Sequence, residues 1–170
     1  DTSRAAAAGV ADALNVRYRE ALVKNRYIGR TFIMSGQAIR QRSLRFKVHP
    51  IELEFKGNNV LLVDDSMVRG NTMRKIVEMA RGAGARKVYV AVASPPLRNP
   101  CPYGVDMPTY DEFIAHDRTV EEVRKLIGAD ALFYLPVEDL VAAVRRGNPK
   151  IKTFCTGCMN KRYPTPEVTK

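Results

Sequence analysis

Apolar residues come in short runs along the chain, and the runs alternate between helical and extended character. An alanine-rich stretch with Thr2 or Ser3 available as N-cap predicts a helix over 3–14. Ala21-Leu22-Val23 predicts a short strand, followed by a loop over 24–35 rich in Arg, Gly and Asn and by a weakly periodic helix over 37–46. After the turn Gly57-Asn58-Asn59, Val60-Leu61-Leu62-Val63 has the partly β-branched, continuous apolar character of a buried parallel strand. The polar loop 64–70 leads to Thr72, an N-cap for a helix over 73–81 that Gly82 to Gly84 ends. A second buried strand, 87–94, completes a strand–helix–strand unit of the length a right-handed crossover needs. Five prolines make 95–108 irregular, and a helix (119–127), a strand (131–134) and an amphipathic helix (137–146) follow. This alternation predicts an α/β domain, a mostly parallel sheet flanked by helices.

Composition narrows the class. At 170 residues and 45% hydrophobic, the chain suffices for one compact core. No apolar run reaches the length of a membrane span, and the first residues lack the basic start and apolar centre of a signal peptide, so a soluble, cytoplasmic protein with no membrane partner is expected. The formal net charge of +10 calls for an anionic partner. Its densest expression is 24–47, where Lys24, Arg26, Arg30, Arg40, Arg42, Arg45 and Lys47 have no acidic residue among them. Without zinc-finger spacing or an aromatic stacking motif, that stretch points to a phosphorylated metabolite before nucleic acid. A solvated basic loop is the plain alternative.

The most informative string is Val60 to Thr72. An apolar strand delivers Asp64 and Asp65 to its carboxyl end, where open α/β sheets place their ligand crevice. Beyond them, Ser66, Val68, Arg69, Gly70, Asn71 and Thr72 supply hydroxyls, backbone N–H groups and a helix N-terminus, which together cradle an anion. Two acids beside a phosphate nest make sense for a sugar phosphate: ribose hydroxyls bond the carboxylates, the 5-phosphate fills the nest, and Mg2+ softens the repulsion. An acid pair alone is a common turn; the whole string sets it apart. It is neither a Walker A loop nor a dinucleotide fingerprint, for no Gly-Lys-Ser/Thr or G-x-G-x-x-G is present.

This string resembles the signature of the type I phosphoribosyltransferases. Asp1-Thr2-Ser3-Arg4, the stretch Lys24 to Ile33, Tyr103 to Pro108 and Ile127-Gly128-Ala129-Asp130 resemble, in order, the glutamine phosphoribosylpyrophosphate amidotransferases of that family. The resemblance runs from Asp1 to about Val168. It implies a type I phosphoribosyltransferase fold, with 1–146 the transferase domain and 147–170 a C-terminal tail. It further implies that ammonia from glutamine displaces pyrophosphate from 5-phosphoribosyl-1-pyrophosphate, the first step of purine synthesis. Asp1, Thr2, Ser3 and Arg4 would grip the pyrophosphate, with Thr2, Asp64 and Asp65 around Mg2+. Lys24, Arg26 and Tyr27 would belong to a catalytic lid closing over the site. Purine nucleotides as feedback inhibitors, a glutaminase domain or chain, and a homo-oligomer are the implied partners.

In the resembled family a glutamine-hydrolysing half and a first core strand precede the part that matches, so the chain is expected to be truncated at its N-terminus and to lack glutaminase activity. Asn71 stands where the family more often has threonine, which is expected to tune the site without silencing it. Cys155-x-x-Cys158, read by itself, fits a redox pair, half a zinc site or two plain thiols, and His49 and His116 are not spaced to complete a zinc site. By resemblance, Cys101, Cys155 and Cys158 match three of the four ligands of a 4Fe–4S cluster whose fourth ligand is not in this chain. Two other functions compete with the transferase: a phosphoribosyl or purine-nucleotide binding module without turnover, and a basic nucleic-acid binder with steeply salt-dependent affinity.

Overall fold

The computed structural model describes residues 2–24, 48–103 and 109–165. In chain order these form α1 (Arg4–Leu14), β1 (Leu22–Lys24), β2 (Val48–Pro50), α2 (Glu52–Phe55), β3 (Asn59–Asp64), α3 (Asn71–Gly82) and β4 (Lys87–Val92). A 3-10 turn (Tyr110–Glu112) leads to α4 (Val120–Ile127), β5 (Ala131–Tyr134), α5 (Val137–Gly147) and α6 (Gly157–Asn160). The main sheet is parallel in the order β3-β4-β5, and β1 pairs antiparallel with β2 in a separate ribbon.

Periodicity explains the core. Along β4, Val88, Val90 and Val92 are buried. On α3 the residues turned inward are Met73, Val77 and Ala80, at helical spacing, and on α4 they are Val123 and Ile127. With Phe55, Ala129 and Leu132 these make one cluster, in which each fully buried Val or Ile contributes about 1.5–3 kcal/mol. Helix α4 has a complete capping box: Thr119 Oγ1 accepts from the Glu122 N–H at 3.2 Å, and Glu122 Oε2 accepts from the Thr119 N–H at 2.7 Å. Gly128, at φ +74°, ends the helix in the left-handed conformation.

The segment Ile127 to Asp130 then ties three elements together. Asp130 accepts from the Val88 N–H (2.8 Å), Arg81 Nη2 (2.8 Å) and Lys87 Nζ (3.2 Å), joining α3, the start of β4 and the entrance to β5. These bonds hold its carboxyl down at about 2, the Val88 N–H contributing most.

Several expectations are corrected. Ser3 occupies the N-cap of α1, but its backbone is already helical and its side chain makes no capping bond. Helix α3 starts at Asn71 behind Gly70, whose left-handed backbone turns the chain, so Thr72 lies inside the first turn and is not the cap. Strand β4 stops at Val92: its partner β3 ends opposite at Asp64, the last rung is Ala93 N–H to Asp64 O at 2.9 Å, and Pro95 has no N–H to continue. Strand β2 and helices α2 and α6 go beyond the expected elements; each has only three or four residues, too few for a period, and β2 ends on a proline. The expected helix over 37–46 lies outside the described residues.

The irregular segment after β4 is fastened to the tail. The Arg98 and Asn99 N–H groups both donate to Cys158 O, at 2.8 and 3.0 Å, and the buried Asn99 side chain donates to Gly157 O at 3.3 Å. Tyr163 donates from its hydroxyl to Pro100 O at 2.7 Å.

Candidate functional site

Sheet register brings the chemistry to one end. Asp64 closes β3 opposite Val92 of β4, and Val92 lies opposite Tyr134, the last residue of β5. Three strands therefore deliver their carboxyl ends side by side, where parallel sheets bind ligands.

Asp64 and Asp65 are adjacent but unequal. Asp64 is mostly enclosed, and burial pushes its carboxyl from the ordinary 3.8 up to about 6; the Asp65 N–H, donating at 3.0 Å, pulls back, while the Asp65 charge pushes further up. At Asp65, burial also pushes upward, but bonds from the Thr2 hydroxyl, the Ser66 N–H (2.9 Å) and Asp64 outweigh it and hold the carboxyl below its usual value. The pair thus keeps one dependable negative charge on Asp65, while a proton or another positive partner is welcome at Asp64. Thr2 comes to this pair from the start of the chain, so the three expected Mg2+ ligands, Thr2, Asp64 and Asp65, stand together.

The donor set is hard oxygen: two carboxylates and a hydroxyl. That suits Mg2+, which is commonly held by one or two carboxylates with substrate phosphates completing its shell. Among the described residues no group of three or more His, Cys, Asp and Glu side chains could hold a metal by itself. A cation here would depend on the ligand for part of its coordination.

The loop beyond the acids is held from behind. Met67 is buried. Val68 O accepts from the Ile114 N–H at 2.8 Å. Arg69 pairs with Glu112, Nε at 2.8 Å. Gly70 is buried at φ +71°, and a Cβ there would sit 2.2 Å from Ile114 Cδ1, so only glycine fits. Ser66, Asn71 and Thr72 are exposed at the mouth. Arg4 Nη2 bonds Glu20 Oε2 at 2.8 Å.

A family model described as "Phosphoribosyl transferase domain" matches residues 2–123. The chain belongs to the phosphoribosyltransferase domain family. Its relatives include the amidophosphoribosyltransferases of Pseudomonas aeruginosa, 54% identical over 100% of this chain, and of Escherichia coli K12, 51% identical over 99%. Among solved structures it is similar to the glutamine phosphoribosylpyrophosphate amidotransferase of B. subtilis complexed with ADP and GMP, at 44% identity and a TM-score of 0.82 over 97% of this chain. The chain spans about a third of the length of these relatives: 34%, 33% and 36%. The expected type I phosphoribosyltransferase fold is therefore the observed one, a parallel three-stranded sheet flanked by helices. Relatives named as enzymes do not favour the binding-module reading.

Within the phosphoribosyltransferase domain, the structure brings together Thr2, Asp64, Asp65 and the loop Ser66 to Asn71. Ser3 and Arg4 follow Thr2 at the start of α1. Asp1, Arg26 and Tyr27 lie outside the described residues, as does nearly all of the expected lid; of Lys24 only the backbone, in β1, is described. Cys101 and Cys158 are half-buried, Cys155 is exposed, and all three are free thiols. Burial pushes the Cys158 thiol up, and the charges of Cys101 and Cys155 add a smaller push. Among the described residues no helix is long and apolar enough to cross a membrane.

Sequence reasoning missed Glu112 and Ile114, which support the loop, and Tyr134, whose buried hydroxyl has no hydrogen-bond partner among the described residues and is pushed by burial to about 12. Glu112 lies 43 residues from Arg69. No local spacing reports a contact of that range.

Proposed function

We propose that this chain is the phosphoribosyltransferase part of an amidophosphoribosyltransferase, forming 5-phosphoribosylamine from 5-phosphoribosyl-1-pyrophosphate and glutamine-derived ammonia at the start of purine synthesis. The observation that carries this reading is the unequal pair Asp64 and Asp65 at the tip of β3, facing Thr2 and running into a glycine-turned loop at the N-terminus of α3. The ribose hydroxyls donate to the two carboxylates, and the 5-phosphate accepts from the backbone N–H groups of the loop and the first turn of α3. The pyrophosphate lies toward Thr2, Ser3 and Arg4. When bound, Mg2+ supplies positive charge to the pyrophosphate oxygens, with Thr2, Asp64 and Asp65 as the residues that would hold it.

The reaction is a displacement at C1. The ammonia nitrogen forms the new C–N bond as the C1–O bond breaks, the electron pair leaves with pyrophosphate, and a proton passes from nitrogen to solvent. Positive charge builds on the ribose ring in the transition state, and the Asp65 carboxylate, ionised well below neutrality, stands beside it. Lys24, Arg26 and Tyr27 would close over the polyphosphate and exclude water. The B. subtilis relative was solved with ADP and GMP, which supports purine nucleotides as feedback inhibitors of this chain as well.

We also take 1–146 as the catalytic domain and 147–170 as its tail, working in the cytoplasm with a glutaminase partner in a homo-oligomer. For the 4Fe–4S cluster the residues do not fit as they stand: Cys101, Cys155 and Cys158 are one thiolate short of four, and among the described residues no group of three or more His, Cys, Asp and Glu side chains could hold a metal. Calorimetry with 5-phosphoribosyl-1-pyrophosphate and Mg2+ tests the central reading. The wild-type chain is expected to bind and Asp65→Asn to lose the Mg2+-dependent part; a folded wild-type chain that releases no heat ends the proposal.

A further inference from the structure

We propose that Glu112 is a positioning residue for the 5-phosphate loop, acting through Arg69; this rests on the phosphoribosyl reading of that loop. Two features place it there. Arg69 directs both Nε, at 2.8 Å, and Nη2, at 2.5 Å, to the same Glu112 Oε2, so its guanidinium is held against the 3-10 turn Tyr110–Glu112. On either side of that ion pair the backbone is held too. Val68 O accepts from the Ile114 N–H, and the Ile114 side chain covers Gly70 so closely that no Cβ could intervene.

The turn itself is anchored. Phe113 and Ala115 are fully enclosed. Arg98 Nη1 donates to Ala115 O and, at 3.0 Å, to Arg118 O, while His116 Nδ1 meets Arg98 O at 3.1 Å. A rigid strut therefore backs a loop whose N–H groups must already point at the phosphate before it arrives, and Glu112 is the charged contact between the two. Arg69 and Glu112 are both partly exposed, at 41% and 47%, so the ion pair adds little to global stability; its effect falls on the loop's conformation.

This arrangement separates the two ligands. Ribose 5-phosphate engages the loop, whereas pyrophosphate lies toward Thr2 to Arg4. On the full chain, calorimetry would compare ribose 5-phosphate with pyrophosphate, both with Mg2+, for wild type, Glu112→Ala, Glu112→Gln, Arg69→Ala and the double alanine variant. Expected for Glu112→Ala and Arg69→Ala is an affinity for ribose 5-phosphate lower by about three- to ten-fold each, with pyrophosphate unchanged. The double variant should be no weaker than the worse single one, because both remove the same contact. Glu112→Gln keeps an acceptor oxygen and should fall between wild type and Glu112→Ala.

Equal loss of both ligands would mean that the pair serves only the fold, and would overturn the proposal. So would unchanged or tighter ribose 5-phosphate binding in Glu112→Ala, the latter meaning that Glu112 restrains Arg69 from the phosphate. A wild type that binds neither ligand removes the phosphoribosyl reading and this inference together, an outcome distinct from a normal wild type with insensitive variants.

Discussion

Replacing Asp64 by Asn should stabilise the chain while removing its ligand binding, and the stabilisation should appear only above a defined pH. The side chain is mostly enclosed, next to a second carboxyl, and burial lifts its titration from 3.8 to about 6. The sign follows from proton counts. Between those values the folded chain holds a proton that the unfolded chain has released, so wild-type stability falls as pH rises through that window, and the cost is complete above about 6. At about 1.4 kcal/mol per pH unit the ceiling is about 3 kcal/mol, and sharing of the proton with Asp65 together with partial hydration brings the expected figure to about 1–2 kcal/mol. The amide of the Asp64→Asn variant keeps an oxygen for the Asp65 N–H, which donates to Asp64 at 3.0 Å in the wild type, so the substitution removes charge and little else. Urea unfolding from pH 4 to pH 8 reads the difference. Asp64→Asn should match wild type near pH 4 and exceed it by about 1–2 kcal/mol at pH 7.5, about 2–8 °C in Tm for a domain of this size. A pH-independent difference, or a variant less stable than wild type at pH 7.5, would refute the claim that a buried charge is held here at a cost for the sake of a ligand.

Three further outcomes are expected. Asp130→Asn should cost about 1–3 kcal/mol at neutral pH in thermal melts, because it weakens the bonds to Val88, Arg81 and Lys87. Since the Asp130 carboxyl sits at about 2 in the fold, that contribution is present above the unfolded value near 3.8 and disappears as pH falls through about 2. Gly70→Ala should abolish ribose 5-phosphate binding measured by calorimetry, and adding Ile114→Ala should restore it only in part, since the second change removes the 2.2 Å clash but not the strain of φ +71°. Asn99→Ala should release the tail and raise the rate at which a thiol reagent labels the half-buried Cys158, leaving the rate at the exposed Cys155 nearly unchanged.

How much of this is legible in the chain depends on range. The runs Val60 to Val63 and 87–94, with the helical pattern between them, announce a parallel β3-α3-β4 unit because period and length are local properties. The acids at the end of that strand and the glycine loop after them announce the candidate site for the same reason, since strand polarity alone puts them at the binding end of a parallel sheet. The start of α3 is less legible, because Thr72 looks like a cap while the left-handed turn at Gly70 already performs the entry.

The sequence by itself determined the class of fold, the order of its longer elements and the oxygen-rich phosphate loop, all of which follow from neighbouring residues. Tertiary structure alone decided that Thr2 reaches Asp65, that Asp64 and Asp65 titrate apart, that Glu112 faces Arg69, and that the tail closes on Asn99. Most of those contacts join residues tens of positions apart, and burial and hydrogen bonding set their energies. Neither is defined until the sheet has stacked and chosen what water can reach.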